Sequence, residues 1–191
     1  MGYTHYWYQM RNFTDSEWQK ISFMTNKIIE AAKAQGIELA NGHGEAGTEP
    51  VIDADKIQLN GVDDDAHETL YLTKQQGKFV DYVPRDQQIR DGIFNFCKTA
   101  RKPYDAVVVS ILGAARRIAK GALRLSSDGD GAVFKMQFKV SVPTKKRCSL
   151  CRKLCDGVLA HRHQGEWIGD ECCWDERLRA RASKQCQSIT L

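Results

Sequence analysis

The sequence contains no long hydrophobic run and no export signal. Its longest apolar stretch, at 106–109, soon meets Arg116 and Arg117, far short of the roughly 18 apolar residues that span a bilayer. Residues 1–7 lack the basic start and the apolar core of a secretory signal. We therefore expect a cytoplasmic protein without a membrane partner. In such a reducing compartment, clustered thiols favour a metal over disulfides.

The motifs that identify common enzyme classes are also missing. The sequence has no Gly-x4-Gly-Lys-Ser/Thr string of a P-loop and no Gly-x-Ser-x-Gly elbow. Gly42, Gly44 and Gly47 do not form a dinucleotide fingerprint, because no predicted strand precedes them and no helix follows at once. No catalytic residue can be assigned from these patterns, and a binding protein explains the chain better than an enzyme.

The composition is that of a folded protein with a small appendage. Hydrophobic residues make up 42% and charged residues 27% of the 191 positions, which excludes global disorder. We predict a main α+β domain over 1–142 and a small module over 143–191. The net charge of +4 lies entirely in 141–191, where ten Lys/Arg face six Asp/Glu. This mild basic bias favours contact with nucleic acid.

The apolar pattern predicts a mixed or antiparallel sheet with two to three helices in the main domain. Thr14 and Glu17 form the capping box of the first helix. Five residues at helical spacing should face the core: Trp18, Ile21, Thr25, Ile28 and Ala32. The predicted strands are 2–10, 57–61, 67–72, 123–127 and 134–142, and the predicted helices are 16–35, 86–99, 104–120 and, in the small module, 174–184.

The first strand is rich in aromatic residues. Because alternate strand residues face opposite sides, His5 lines up with Tyr3 and Trp7, while Tyr6 and Tyr8 share the other face with Thr4. Packing in a core or along a groove is the expected role of these side chains. Stacking against nucleobases is the alternative.

The cysteines predict a zinc site in the small module. Five of the seven cysteines lie between 148 and 173. Cys148 and Cys151 form a Cys-x2-Cys knuckle, and Cys172 and Cys173 follow twenty residues later, a spacing typical of ribbon and treble-clef-like sites. We predict that these four cysteines hold a structural zinc ion, which would stabilise a tail too small for a core of its own.

The fourth ligand stays open, since adjacent side chains seldom both reach one ion. Four further residues could replace Cys172, and they are Cys155, His161, His163 and Asp170. Instead of a metal site, the cluster could consist of buried structural thiols or disulfides. Cys97 and Cys186 lie outside the cluster, and we expect them to be packing or surface thiols.

A second candidate site lies at 98–105, at the expected junction of two helices. The first turn of a helix presents free N–H groups. Together with them, Thr99, Arg101 and Lys102 would suit a phosphate or a nucleotide, with Tyr104 available to stack on the ligand. A solvated helix connection is the alternative.

A third candidate is His67, with Glu68 and the acidic residues 63–65 at a predicted hairpin tip. Such a group could bind a hard cation or serve acid–base chemistry, although acidic residues in turns are usually only solvated. Neighbouring strand residues point to opposite faces, which argues against a joint role of His67 and Glu68. His67 is kept as a candidate ligand-binding residue.

Several strings in the sequence resemble a known group of proteins. Residues 1–7 (MGYTHYW), 96–105 (FCKTARKPYD) and 126–129 (SSDG) are similar to an uncharacterised family of bacteriophage and bacterial proteins, as are 60–61 (NG) and 67–69 (HET). Residues 169–179 (GDECCWDERLR) are similar to small zinc-ribbon-like segments of phage and actinobacterial proteins. The resemblance implies a phage or mobile-element setting inside a bacterial cell and brings no activity with it.

Three functions follow as hypotheses. The first is a phage accessory protein with structural zinc that contacts a host protein or a nucleic acid. The second is a protein that sequesters a nucleotide or phosphorylated small molecule through the 98–105 region, for example to counter a host defence signal. The third is a hydrolase that uses His67 and nearby carboxylates.

Overall fold

The computed structural model describes residues 2–76, 92–129 and 133–140, together with the backbone of four short strands between 146 and 169. The chain divides into two compact units, Met1–Val140 and Ser141–Leu191. The described part of the first unit has two α-helices and two three-stranded antiparallel sheets, which is the predicted α+β fold. Neither of these two helices is long and apolar enough to cross a bilayer.

The described part of the first unit contains six strands, two α-helices and one 3-10 turn. In order they are β1 (Thr4–Gln9), α1 (Asp15–Lys33), β2 (Val51–Ile52), β3 (Lys56–Leu59), a 3-10 turn (Asp63–Asp65), β4 (Leu70–Thr73), β5 (Ile93–Lys98), α2 (Asp105–Ile118) and β6 (Leu123–Ser127).

The first sheet has the order β5-β1-β6, so the N-terminal strand is its central strand. Residues of β1 alternate between the two faces of this sheet, as a period of two requires. His5 and Trp7 are buried with 0% and 1% exposure, whereas Tyr6 is half-buried and Tyr8 is exposed. The facing predicted from the sequence is thus confirmed. One face of the sheet packs on the core and the other is open.

Helix α1 begins with the predicted capping box. Thr14 is the N-cap, its Oγ1 accepts from the N–H of Glu17 at 3.2 Å, and its own N–H donates to Glu17 Oε2 at 2.9 Å. The stripe of residues at helical spacing is buried as predicted, and it comprises Trp18, Ile21, Thr25, Ile28 and Ala32. Burial of this stripe stabilises the helix more than its intrinsic propensity does.

Helix α2 is buried on every side over nine consecutive residues, 107–115, as expected of a helix that is apolar all round. It packs against α1 and β6. The segment 133–140 runs along it so closely that a Cβ on Gly113 would lie 2.5 Å from the carbonyl oxygen of Phe134. The N–H of Gln137 donates to Ser110 Oγ at 3.0 Å. Phe134 and Phe138 of this segment complete the core.

Two predicted elements are wrong where the structure describes them. Residues 93–98 belong to β5, not to a helix over 86–99. Aromatic and β-branched residues favour a strand here, and the pairing with β1 outweighs the helical pattern. Residues 134–140 form no strand, because this segment contacts α2 instead of a sheet edge. The helix predicted at 174–184 lies outside the described residues.

The second sheet has the order β2-β3-β4, and β3 and β4 form the predicted hairpin with strand ends shifted by up to three residues. Asn60 fixes its tip. The buried side-chain oxygen of Asn60 accepts from the N–H groups of Gly61 at 2.9 Å and His67 at 3.0 Å, and its amide donates to the carbonyl of His67 at 3.0 Å. The acidic residues of the 3-10 turn are exposed.

The second unit contains two pairs of short antiparallel strands. Strand β7 (Lys146–Arg147) pairs with β8 (Leu154–Cys155), and β9 (Ala160–His163) pairs with β10 (Glu166–Gly169). The connection from β7 to β8 contains Cys148 and Cys151. Cys172 and Cys173 follow β10 in the sequence but lie outside the described residues.

The start of α1 predicts a measurable pH dependence. Arg11 donates two hydrogen bonds of 2.8 Å to the two carboxylate oxygens of Glu17. These bonds lower the pKa of Glu17 to about 2 from its ordinary 4.5, although burial opposes the shift. The carboxylate therefore stabilises the fold above pH 4.5, and this stabilisation is lost as the pH falls through about 2.

We expect Glu17→Gln, which keeps the capping box, to lower the free energy of unfolding at pH 7 by about 1 kcal/mol, a figure reduced for solvent screening. The difference from the unmodified protein should shrink between pH 4.5 and 2 in urea unfolding. A difference that stays constant across this range would contradict the assignment. Glu30→Gln, at an exposed pair with Lys27, is the control and should change little.

Candidate functional site

The segment 98–105 joins a strand to a helix, not two helices as predicted from the sequence. Ala100 and Arg101 both have positive φ, at 50° and 60°, and the N–H of Lys102 donates to the carbonyl of Thr99 at 3.0 Å. This is a type I′ turn without the glycine that such turns prefer. The N–H groups of Thr99 and Ala100 donate to the carbonyl of Tyr3 at 2.9 and 3.1 Å, which fixes the turn against β1.

The hydroxyl of Thr99 and the ring of Tyr104, both predicted to meet a ligand here, are buried. Thr99 and Tyr104 are each 0% exposed. Thr99 Oγ1 is hydrogen-bonded to the carboxylate of Asp105, and the Tyr104 hydroxyl donates to the carbonyl of Glu68 at 2.7 Å. Burial raises the pKa of Tyr104. Tyr104 is thus a core residue whose ring cannot stack on a ligand in this state, contrary to the prediction.

A carboxylate of the protein itself already occupies the first turn of α2. Asp105 is the first residue of the helix, and its Oδ1 lies 2.7 Å from Nε2 of the fully buried His5. Burial raises the pKa of Asp105, but the hydrogen bonds with His5 and Thr99 outweigh it, so the pKa is lowered overall. The Asp105 carboxylate takes the favourable position at the positive end of the helix. An external phosphate would meet its negative charge there.

The remaining predicted ligand-binding residues lie on the surface around this turn. The guanidinium of Arg101 lies over the ring of Tyr3, 3.9 Å from its centroid, and Lys102 Nζ donates to the carbonyl of Asp64 at 2.5 Å. His67 is exposed. The part of the chain that the structure describes contains no group of three or more His, Cys, Asp or Glu residues able to hold a metal ion. Within these ranges, His67 is therefore not part of a metal-binding group.

Cys97 has the role expected of a packing thiol. It is fully buried, and its Sγ lies 3.3 Å from the carbonyl oxygen of Glu68. Burial raises the pKa of this thiol to about 12, which keeps it protonated and unreactive. Glu68 is engaged as well, since its Oε2 accepts from the N–H of Lys98 at 2.8 Å. These contacts attach the residues before β4 to the end of β5.

A different surface stands out on the open face of the β5-β1-β6 sheet. We call it the aromatic face, and it consists of Tyr6, Tyr8, Phe94 and Phe96. Tyr6 pairs with Phe96 and Tyr8 with Phe94 in the strand register. Tyr8, Phe94 and Phe96 are 37%, 44% and 52% exposed. They are the exposed large hydrophobic side chains of the described residues, and all lie on one face.

The rings of the aromatic face form a continuous layer. The centroids of Tyr6 and Phe94 are 6.1 Å apart with planes 23° from parallel, and those of Phe94 and Phe96 are 6.0 Å apart at 29°. Tyr8 and Phe94 are 5.2 Å apart. Each ring of the aromatic face thus lies next to another ring of the same face.

Charged side chains border the aromatic face. On β6, the exposed Arg124 pairs with Tyr8 in the register, and Ser126 pairs with Tyr6. Lys98 follows Phe96 by two residues on β5 and so shares its face. Just after β6, Asp128 accepts a hydrogen bond of 2.9 Å from the Tyr6 hydroxyl. An exposed apolar patch with a polar border is typical of a binding surface.

Sequence reasoning found half of this surface. The alternation in β1 placed Tyr6 and Tyr8 on one side, with nucleobase stacking as an alternative role. Phe94 and Phe96 were missed because residues 86–99 were predicted as a helix. Their spacing of two residues, with the polar Asn95 between them, was the signal that could have identified a strand with an aromatic side.

The predicted zinc ligands Cys148, Cys151, Cys172 and Cys173 lie outside the described residues, as does Asp170. Of the residues that could replace Cys172 as the fourth ligand, Cys155 lies on β8, and His161 and His163 lie on β9. The backbone pairing thus places the Cys-x2-Cys string between two paired strands and the Cys-Cys pair just after a second hairpin in the sequence.

Comparisons with protein-family models, curated proteins and solved structures found no match to this chain.

The strained turn at 100–101 gives a prediction on stability. A residue with a Cβ at positive φ costs roughly 1–2 kcal/mol, whereas glycine adopts this conformation freely at an entropic cost of roughly 0.5–1 kcal/mol. We expect Ala100→Gly to raise the free energy of unfolding by about 0.5–1 kcal/mol in chemical denaturation. Ala66→Gly, at a φ of −76°, is the control and should be destabilising. A loss of stability in Ala100→Gly would contradict the assignment of backbone strain to this turn.

Proposed function

We propose that this protein binds single-stranded nucleic acid through the aromatic face and has no enzymatic activity. The observation that carries the proposal is the layer of four aromatic side chains on the open side of a three-stranded sheet. Aromatic side chains on a sheet surface provide platforms on which unpaired bases stack, at roughly 1–3 kcal/mol per base.

The spacing of the rings favours an unpaired strand over a duplex. Neighbouring bases in a duplex are separated by about 3.4 Å along the helix axis, whereas the centroids of Phe94 and Phe96 are 6.0 Å apart. Bases that stack on these two rings must therefore separate from each other. In a duplex the base faces are also covered by their neighbours, so the flat side of a ring has access only to an unpaired base.

The charges around the face complement a phosphate backbone. Arg124 and Lys98 lie on the two outer strands, on either side of the aromatic rings of β1. Each cation that contacts a phosphate releases counterions and strengthens binding at low salt. The excess of four positive charges in residues 141–191 adds a general attraction to nucleic acid.

The two other hypotheses have less support from the geometry. The nucleotide or phosphate site at 98–105 relied on the hydroxyl of Thr99 and on stacking against Tyr104, and both side chains are buried and hydrogen-bonded within the protein. A hydrolase centred on His67 would need a second catalytic side chain next to the imidazole of this exposed residue. The phage accessory role implied by the sequence resemblance is compatible with a protein that binds nucleic acid in a bacterial cell, and it remains part of the proposal.

Removal of two rings should abolish most of the binding. We expect fluorescence anisotropy to show binding of labelled single-stranded DNA and RNA octamers, and Phe94→Ala/Phe96→Ala to weaken it at least about tenfold, because each stacked base contributes roughly 1–3 kcal/mol. Phe94→Leu/Phe96→Leu keeps an apolar surface without π faces and should lose nearly as much. A partner protein that needs only apolar contact would tolerate the leucines.

The salt dependence of binding, compared between variants of charged residues, provides a second readout of the same experiment. Arg124→Ala should weaken binding and reduce the slope of log affinity against log salt by about 0.7, the value for one phosphate contact on a single strand. Arg117→Ala, an exposed cation of α2, is the matched control. Equal affinity for single strands and duplexes, or no binding to any octamer, would overturn the proposal. A dimer that dissociates in the alanine variant would show instead that the face joins two copies of the chain.

We also propose that the second unit holds one structural zinc ion through Cys148, Cys151, Cys172 and Cys173. The support is the position of the Cys-x2-Cys string between β7 and β8 and of the second cysteine pair just after β10 in the sequence. Paired strands around such a string are typical of zinc ribbons. The ion would contribute folding free energy to a unit of about fifty residues.

Elemental analysis should find about one zinc per chain, because four thiolates form a closed tetrahedral site. Chelation should make residues 141–191 sensitive to protease, and Cys148→Ser/Cys151→Ser should lose the metal. Cys186→Ser, outside the cluster in the sequence, is the control and should retain it. A metal-free protein with the same protease resistance would exclude a structural role for zinc.

A further inference from the structure

We propose that Asp128 gives the aromatic face a base preference, for nucleobases that carry amino groups and for guanine above the others. The inference rests on the binding of single strands proposed above. It concerns the end of the face at Tyr6, where a carboxylate lies beside a half-buried aromatic ring.

Asp128 is fixed to β1 by three hydrogen bonds, two of which its carboxylate accepts. Its Oδ2 accepts from the N–H of Thr4 at 2.9 Å and its Oδ1 from the hydroxyl of Tyr6 at 2.9 Å. The N–H of Asp128 donates to the carbonyl of Thr4 at 3.1 Å. The side chain is thus anchored to β1 through both oxygens, although the residue itself is exposed. A group held in this way needs little reorganisation when a ligand arrives.

The anchored carboxylate retains hydrogen-bonding capacity. An ionised carboxylate accepts about four hydrogen bonds, and the protein supplies one to each oxygen. Each oxygen therefore has a further lone pair for donors from solvent or from a ligand. Because the group accepts and does not donate, it discriminates between base edges by their donors.

The position of the Asp128 carboxylate beside Tyr6 determines which part of a bound nucleotide approaches it. A base stacked on the Tyr6 ring has one edge near the hydroxyl end of the ring, and the carboxylate lies 2.9 Å from that hydroxyl. A phosphate is repelled from this place by the negative charge. The backbone is drawn instead toward Arg124 and Lys98. An edge of the base, not the phosphate, is then the group that approaches Asp128.

The bases differ in what this edge offers. Guanine presents its N1–H and an N2 amino group side by side, which matches the two oxygens of one carboxylate. Cytosine and adenine present one amino group each. Uracil and thymine present a single N3–H between two carbonyl oxygens, which the carboxylate repels. The order expected from this chemistry is guanine first, cytosine and adenine next, and uracil or thymine last.

The test uses the full chain and single-stranded octamers of uridine or thymidine in which the two central residues are guanine, cytosine, adenine or unchanged. We expect the guanine octamers to bind about tenfold more tightly than the unchanged ones, in line with the discrimination of a good two-bond contact to a base. Parallel RNA and DNA series show whether the sugar contributes. Asp128→Asn should reduce the preference to less than about threefold.

Matched variants separate this effect from a loss of fold. Asp64→Asn, at an exposed acid in the 3-10 turn, should leave the preference intact, and Tyr6→Phe should keep stacking but weaken the preference, because one anchor of the carboxylate is lost. A thermal melt checks that each variant is folded. Equal binding of guanine and uridine octamers, or an unchanged preference in Asp128→Asn, overturns this inference alone. Absence of binding to every octamer overturns the proposed function with it.

Discussion

The pairing of β1 on both of its edges is the constraint on which the rest of the first unit depends. This strand lies between β5 and β6. The strict alternation of its side chains gives the sheet one buried face and one face with exposed aromatic side chains. Trp7 and His5 pack inward, and the same pairing forces Tyr6 and Tyr8 outward. A shift of register by one residue would bury the tyrosines and expose Trp7. The core and the aromatic face are therefore specified by the same hydrogen bonds.

The strongest local signals predicted the structure well. The capping box and the apolar stripe of α1 combine a short-range hydrogen-bond motif with a regular period, and both appear as expected. The strand β1 and its facing were likewise predictable from alternation. In each case the relevant interactions lie within a few residues along the chain, or the pattern repeats often enough to indicate the buried side.

The failures have a common physical origin. Residues 93–98 and 134–140 take their conformation from distant partners: the first pairs with β1, and the second lies against Gly113 and Ser110 of α2. The burial of two side chains in the candidate site at 98–105 was missed for a related reason. Whether Thr99 and Tyr104 meet solvent depends on His5, Glu68 and Asp105, and no spacing in the sequence indicates that these groups converge.

The central position of β1 in its sheet has a consequence for the rate of folding. The two neighbours of β1 lie more than 80 residues downstream of it, and the phenylalanines that complete the core beside α2 come later still. Both edges of β1 can be paired only after these long connections have closed, at an entropic cost that grows with their length. Such long-range pairing slows folding.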